Sequence, residues 1–398
     1  MRNHLDDLRG AGRLAVEATR GVTDLVEAMH TTIGGGPDLL GRPLARPTRA
    51  VTGLVYSSIR GVTRLVGAGI DAALAQLAPL LGERAPGSGP ERDAVLAVLN
   101  GVLGDYLGAT GNPLAIEMRL RHDGVALELE RRALEQALPH ATGKLLVLVH
   151  GSCMNDRKWS RAGHDHGAAL ARDLGYTPVY LHYNSGLHVS TNGRLLAELL
   201  ERLTAEWPEP LEELTILAHS MGGLVARSAC HVGEADDMTW RPKLTRLVCL
   251  GTPHHGAPLE RGGNWIDRAL AISRYSSPLA RLGHIRSAGV TDLRFGNVLE
   301  EHWAGRDRFA HGADPRTQVE LPAGVACYAI AATTAAKARD KLPGDGIVPV
   351  ASALGRHARP ELTLAFPDAH QLVAYGTGHF DLLDKADVYA AIKAWLSP

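Results

Sequence analysis

Ser220 stands in Ala218-His219-Ser220-Met221-Gly222, a small-x-Ser-x-Gly pattern that occurs once in the chain. An apolar run, 214–218, precedes it and a helix-forming run, 222–230, follows. A serine in such a strand-to-helix turn is lifted off the sheet edge as a nucleophile elbow, and the helix N-terminus aims free N–H groups at it. Small residues are needed at 218 and 222 because backbone crowds both positions; Ala218 stands where glycine is commoner. The bland alternative is a serine that merely caps a helix.

A second run, 145–149, ends in His150-Gly151-Ser152. Gly151 lets the backbone turn, so that the Ser152 N–H faces a carbonyl oxygen. The Met221 N–H is the second donor of such an oxyanion hole, and each donor is typically worth about 10²–10³ in rate. Cys153 is the alternative to Ser152, and a plain β-turn is the alternative to the whole arrangement. A general base is expected after the last strand. Gly378-His379-Phe380-Asp381 runs directly into the final helix and favours His379, with His370 as runner-up. The acid lies between nucleophile and base in chain order. Asp345, between Gly344 and Gly346 and ahead of Ile347-Val348, fits best; Asp340 and Asp368 lack those flanking turns.

The elements that must position these residues follow from hydrophobic periodicity. Strands are expected at 144–149, 178–182, 213–218, 246–250, 325–331 and 361–366, and a hairpin at 114–120 and 125–129 around Asp123-Gly124. Helices are expected at 93–108, 168–174, 194–205, 221–230 and 386–396. Strands that are apolar throughout and alternate with helices make an α/β fold, a mostly parallel sheet flanked by helices. Residues 252–320 break the alternation and read as a cap or substrate-facing insertion, with Trp265 and Trp303 in it. The domains are then a helical N-terminal region, 1–110, and a catalytic domain, 111–398. Residues 8–33 and 51–81 carry apolar stripes at helical spacing, and Arg20-Gly-Val-Thr-Asp-Leu-Val26 recurs as Arg60-Gly-Val-Thr-Arg-Leu-Val66. Residues 83–92 read as a linker. The stripes are expected to cover the catalytic body or pair in a homodimer.

The motifs VLVHG (147–151), AHSMGG (218–223), LGTPHHGAP (250–258), DGIVPV (345–350) and GHFDLL (378–383) together resemble the α/β-hydrolase superfamily, in particular bacterial lipases and esterases and the inositol-deacylase-like branch. The resemblance spans roughly 110–398. It implies a serine hydrolase of carboxylic esters of short to medium acyl length, using Ser220, His379 and Asp345 through an acyl-enzyme. The same triad also serves long-chain lipases, thioesterases and amidases. A non-catalytic helical scaffold is the reading from a different class.

Of 398 residues, 45% are hydrophobic and 21% charged, and the formal net charge is −1. That balance excludes a disordered chain and gives no field to attract nucleic acid; a membrane surface is likewise disfavoured. The small-molecule ester is the expected partner. No cofactor is implied. His164-Asp165-His166 has a chelating look, but Asp165 as a helix cap is the preferred reading, so no metal is assigned. The charged start MRNHLDDLRGAGR lacks an apolar signal core, no run spans a bilayer, and the four cysteines have no zinc spacing, so a cytoplasmic location is expected.

Overall fold

A computed structural model describes residues 90–112, 114–257, 286–308, 314–338 and 342–398. The N-terminal stripes, their repeat, most of the 83–92 stretch, Trp265 and Asp340 lie outside the described residues. Helix α1 (Pro90–Ala109) opens the described part and leads into a short hairpin, β1 (Arg119–His122) and β2 (Val125–Ala126), that turns at Asp123-Gly124. After α2 (Arg131–Ala137) come β3 (Lys144–Val149), α3 (His166–Leu174), β4 (Thr177–His182), α4 (Val189–Ala205), β5 (Glu213–His219), α5 (Met221–Ala235) and β6 (Leu244–Leu250). The chain closes with α6 (Ala288–Asp292), β7 (Ala326–Thr333), α7 (Val350–Ala353), β8 (Gln371–Tyr375) and α8 (Ala386–Leu396). From Asp93 onward the described residues belong to one compact unit. Glycines explain why α1 belongs to that unit from Asp93 onward. A Cβ at Gly101 would meet the Cys153 Sγ at 2.3 Å, and one at Gly104 the Asn184 Oδ1 at 1.8 Å.

The eight strands of the described residues form one sheet in the order β2-β1-β4-β3-β5-β6-β7-β8, parallel from β4 to β8, with the hairpin antiparallel at one edge. The central strands are apolar throughout because both faces are covered: Leu145 to Val149 and Leu247 to Leu250 are all fully buried. The register brings Val149, Ala218, Cys249 and Ala329 into line across the sheet, so the loops after β3, β5 and β6 leave from one edge. That carboxyl edge is where ligands bind in open α/β sheets.

One expected strand is corrected. Residues 361–366 are not in the sheet; the last strand is β8, Gln371–Tyr375. The alternation in Leu362, Leu364 and Phe366 is real, and all three side chains are buried. Pro360 and Pro367 bracket them, however, and proline cannot donate to a ladder. The segment instead bonds to a turn, with Leu364 N–H on Gly355 O at 2.8 Å.

Candidate active site

Ser220 lies between β5 and α5 at φ 56°, ψ −126°, a region that side-chain-bearing residues rarely adopt. Holding it there costs about 1–3 kcal/mol, which the surroundings must supply. They do so through backbone contacts. The Ser220 N–H donates to Leu250 O at 2.8 Å, and the Gly223 N–H to Ser220 O at 3.1 Å. Gly222 packs so close that a Cβ would lie 2.4 Å from Val149 O and 2.7 Å from His150 O. The Ser220 side chain makes no capping hydrogen bond, which removes the plain-cap alternative. Gly222→Ala is therefore expected to cost about 1–3 kcal/mol by overpacking, read as a lower urea midpoint, because both clashing oxygens belong to backbone and not to the end of a flexible side chain.

The loop after β3 meets this turn from the side. A Cβ on Gly151 would sit 2.9 Å from Ser220 Cβ, so only glycine lets the loop pass. The N–H groups of Ser152 and Met221, both residues buried, have no hydrogen-bond acceptor among the described residues. Met221 is the first residue of α5, where N–H groups lack intrahelical partners. The Cys153 N–H is already committed to Ser185 Oγ at 3.0 Å, which leaves Ser152 as the available donor of the two considered. Burial pushes the Cys153 thiol up to about 11, so it carries little thiolate at neutral pH.

His379 and Asp345 are brought together. His379 Nδ1 lies 2.7 Å from Asp345 Oδ2, and both side chains are buried. Asp345 Oδ1 accepts the N–H groups of Ile347 at 2.9 Å and Val348 at 2.7 Å, and the His379 N–H donates to Asp345 O at 3.1 Å. The ring rests on Gly251, which has φ 58°; a Cβ there would touch His379 Cε1 at 3.1 Å. Leu250 O holds the Ser220 N–H and Gly251 supports the His379 ring, so one dipeptide at the end of β6 backs both residues. His370 is not part of this group. It precedes β8 at the opposite edge of the sheet, with Nδ1 on Cys327 O at 3.1 Å. Asp368 shares that edge.

Two further residues support this group. His219 Nε2 bonds His379 O at 3.1 Å and pins the base loop to the elbow strand. Tyr183 donates its hydroxyl to His150 O at 2.8 Å and stacks on that ring. Their only sequence signal is position, within AHSMGG and in the loop after a strand. His164-Asp165-His166 makes a different set of bonds. Asp165 caps α3 by accepting the Ala168 N–H at 2.9 Å, and His164 Nε2 bonds His166 Nδ1 at 2.8 Å. Among the described residues no three His, Cys, Asp or Glu side chains group as metal ligands, and no helix is long and apolar enough to cross a membrane.

Burial lowers the His150 pKa to about 3, the His166 pKa to about 4, and that of His219 well below the usual imidazole value. These rings are neutral when folded and take up protons on unfolding once pH falls below about 6.5. The unfolded chain then binds more protons, so stability is lost as pH drops from about 6.5 toward the folded values, at about 1.4 kcal/mol per pH unit per ring. A urea midpoint clearly lower at pH 5 than at pH 7 is expected; an unchanged midpoint would mean that the rings are already protonated in the folded protein.

The strand order, the antiparallel edge hairpin and the strand–Ser–helix turn make this an α/β-hydrolase fold. A family described as a domain of unknown function, DUF7379, matches residues 120–293. No curated protein matches the chain. Among solved structures, the mature lipase BlEst2 of Bacillus licheniformis is 17% identical, with a TM-score of 0.43, over 71% of this chain and 98% of that one. The metagenomic carboxyl esterase MGS0156 is 14% identical, with a TM-score of 0.38, over 80% and 97%. RedJ, a thioesterase of the prodiginine pathway in Streptomyces coelicolor, is 16% identical, with a TM-score of 0.35, over 65% and 91%.

Proposed function

We propose that the protein is a serine hydrolase that cleaves carboxylic esters of short to medium acyl length, with Ser220 as nucleophile, His379 as base and Asp345 as acid. The observation that carries this reading is the buried Asp345–His379 pair at 2.7 Å, backed by the same Leu250-Gly251 turn that holds a strained Ser220. Asp345 accepts the Nδ1 proton, so Nε2 is left unprotonated to take the Ser220 proton as Oγ attacks the ester carbonyl. The carbonyl oxygen becomes an oxyanion between the N–H groups of Ser152 and Met221, whose lack of other acceptors leaves them preorganised for it. His379 then returns the proton to the leaving alcohol. Water, deprotonated by the same imidazole, attacks the acyl-serine and releases the acid.

A serine-directed phosphonate is expected to label Ser220, found as a single modified peptide by mass spectrometry, and to abolish turnover of p-nitrophenyl esters. Labelling elsewhere, or turnover that survives labelling, overturns the assignment. Turnover across the ester series from acetate to palmitate then sets acyl length, with the maximum expected at the shorter chains.

A further inference from the structure

The loop that carries the Ser152 amide bends at Cys153, which has φ 59°, a left-handed conformation that costs free energy for any residue with a Cβ. Cys153 is buried, so its N–H needs an acceptor inside the protein. That acceptor is Ser185 Oγ, at 3.0 Å, in the segment that follows β4. Ser185 is buried too, and its segment is tied to three helices. Asn184 Nδ2 donates to Gly104 O of α1 at 2.9 Å, and Asn192 Nδ2 of α4 donates to Asn184 O at 2.9 Å. The Gly289 N–H of α6 donates to Gly186 O at 3.0 Å, and the Gly186 N–H closes a turn on Asn184 Oδ1 at 3.0 Å. The hydroxyl is therefore presented from a fixed place. Behind Cys153 the way is shut: a Cβ on Gly101 of α1 would lie 2.9 Å from Cys153 Cα and 3.0 Å from its N.

The consequence reaches the neighbouring amide. Ser152 C=O and Cys153 N–H share one planar peptide, so the bond to Ser185 orients that plane. The preceding plane, which holds the Ser152 N–H, is set at its other end by Gly151, whose Cα packs against the Ser220 side chain. Only φ and ψ of Ser152 lie between the two planes. Once the acceptor is removed, Cys153 is free to relax toward negative φ. That relaxation turns the plane and carries the Ser152 N–H off its aim. A donor contributes to the rate in so far as it already points at the developing oxyanion, because reorientation during the reaction costs free energy.

We propose that Ser185 is a positioning residue for ester hydrolysis: its hydroxyl holds the strained Cys153 turn and thereby keeps the Ser152 N–H aimed at the oxyanion. This rests on the reading of Ser220 as nucleophile. The test compares the full chain with Ser185→Ala and Ser185→Thr, using a p-nitrophenyl ester and an alkyl trifluoromethyl ketone. Ser220 Oγ adds to the ketone carbonyl, its proton passes to His379 Nε2, and the carbonyl oxygen becomes an oxyanion without a leaving group. The ketone thus reports on the oxyanion site alone. Losing a donor outright is typically worth about 10²–10³, and a mis-aimed donor part of that. Ser185→Ala is expected to lower kcat about 10- to 100-fold with KM retained, and to weaken the ketone Ki by a similar factor. Ser185→Thr keeps the acceptor and is expected to restore both to within about threefold of the parent. Where Ser185→Ala does not fold, Ser185→Cys, with its weaker acceptor, takes its place. Where Ser185→Thr does not fold, kcat and Ki of the first variant decide. A kcat within threefold of the parent, a fall in kcat with Ki unchanged, or a folded Ser185→Thr as slow as Ser185→Ala overturns the proposal. Phosphonate labelling of the parent separates the two failures. Labelling at Ser220 with an unaffected Ser185→Ala overturns the role of Ser185 alone, whereas labelling at another serine overturns the nucleophile and this inference with it.

Discussion

Ser220→Ala is expected to lower kcat for p-nitrophenyl esters by about 10⁴–10⁶ with the fold intact. The substitution removes one oxygen from a side chain that makes no capping bond, and the Ser220 N–H to Leu250 O bond that holds the turn at φ 56° stays in place. Stability should therefore move by no more than about 0.5 kcal/mol, as for substitutions that remove no packing or cap. The residual rate, about 10³–10⁴ above water, would come from the Ser152 and Met221 amides and from binding. A serine that only caps α5 would behave oppositely. Its alanine variant would lose about 1 kcal/mol of stability and leave turnover untouched. Paired measurements of urea midpoint and kcat on one variant separate the two roles. A variant within tenfold of the parent in kcat removes Ser220 from the chemistry.

The fold was legible where apolar runs coincide with buried central strands. Lys144–Val149 emerged with its expected bounds, and the C-terminal helix Ala386–Leu396 likewise. Burial from both sides leaves an unbroken apolar signature there. The reading failed at 361–366, because alternating burial is shared by a strand and by an extended loop pressed on the core. Only the ladder distinguishes them, and the ladder belongs to Gln371–Tyr375, whose side chains are mostly half-buried. The error bears on the site. With the last strand ending at 366, His370 and His379 both follow it, and both stay eligible as base. With the strand at 371–375, His370 precedes it and His379 follows, so the sheet itself separates them. The choice between Ser152 and Cys153 was not legible either, since it turns on Ser185, a residue 32 positions away that engages the Cys153 N–H.

Asp345→Asn is expected to reduce kcat by about 10⁴, the effect of the wrong imidazole tautomer in a Ser-His-Asp arrangement. The carboxylate has two distinct environments. Oδ1 faces two donors, the N–H groups of Ile347 and Val348, and Oδ2 faces one, His379 Nδ1. An asparagine has one oxygen and one NH₂ to place. Putting NH₂ toward the two backbone donors would bury two N–H···H–N conflicts, at about 1–3 kcal/mol for each group left unsatisfied. The amide oxygen therefore takes the Oδ1 position, and NH₂ points at His379. The imidazole must then accept at Nδ1 and move its proton to Nε2, the nitrogen needed to deprotonate Ser220. The ring stays in place on Gly251, so geometry and KM are retained while the base is lost. His379→Ala should fall as far. His370→Ala, about 16 Å away along the five residues of β8 by strand rise, should keep parental kcat. The tautomer is read independently of activity, from imidazole ¹⁵N shifts, which should exchange the protonated nitrogen from Nδ1 to Nε2 between parent and Asp345→Asn. A variant with unchanged ¹⁵N shifts and kcat within tenfold of the parent would make the Asp345–His379 pair structural and remove both from the chemistry.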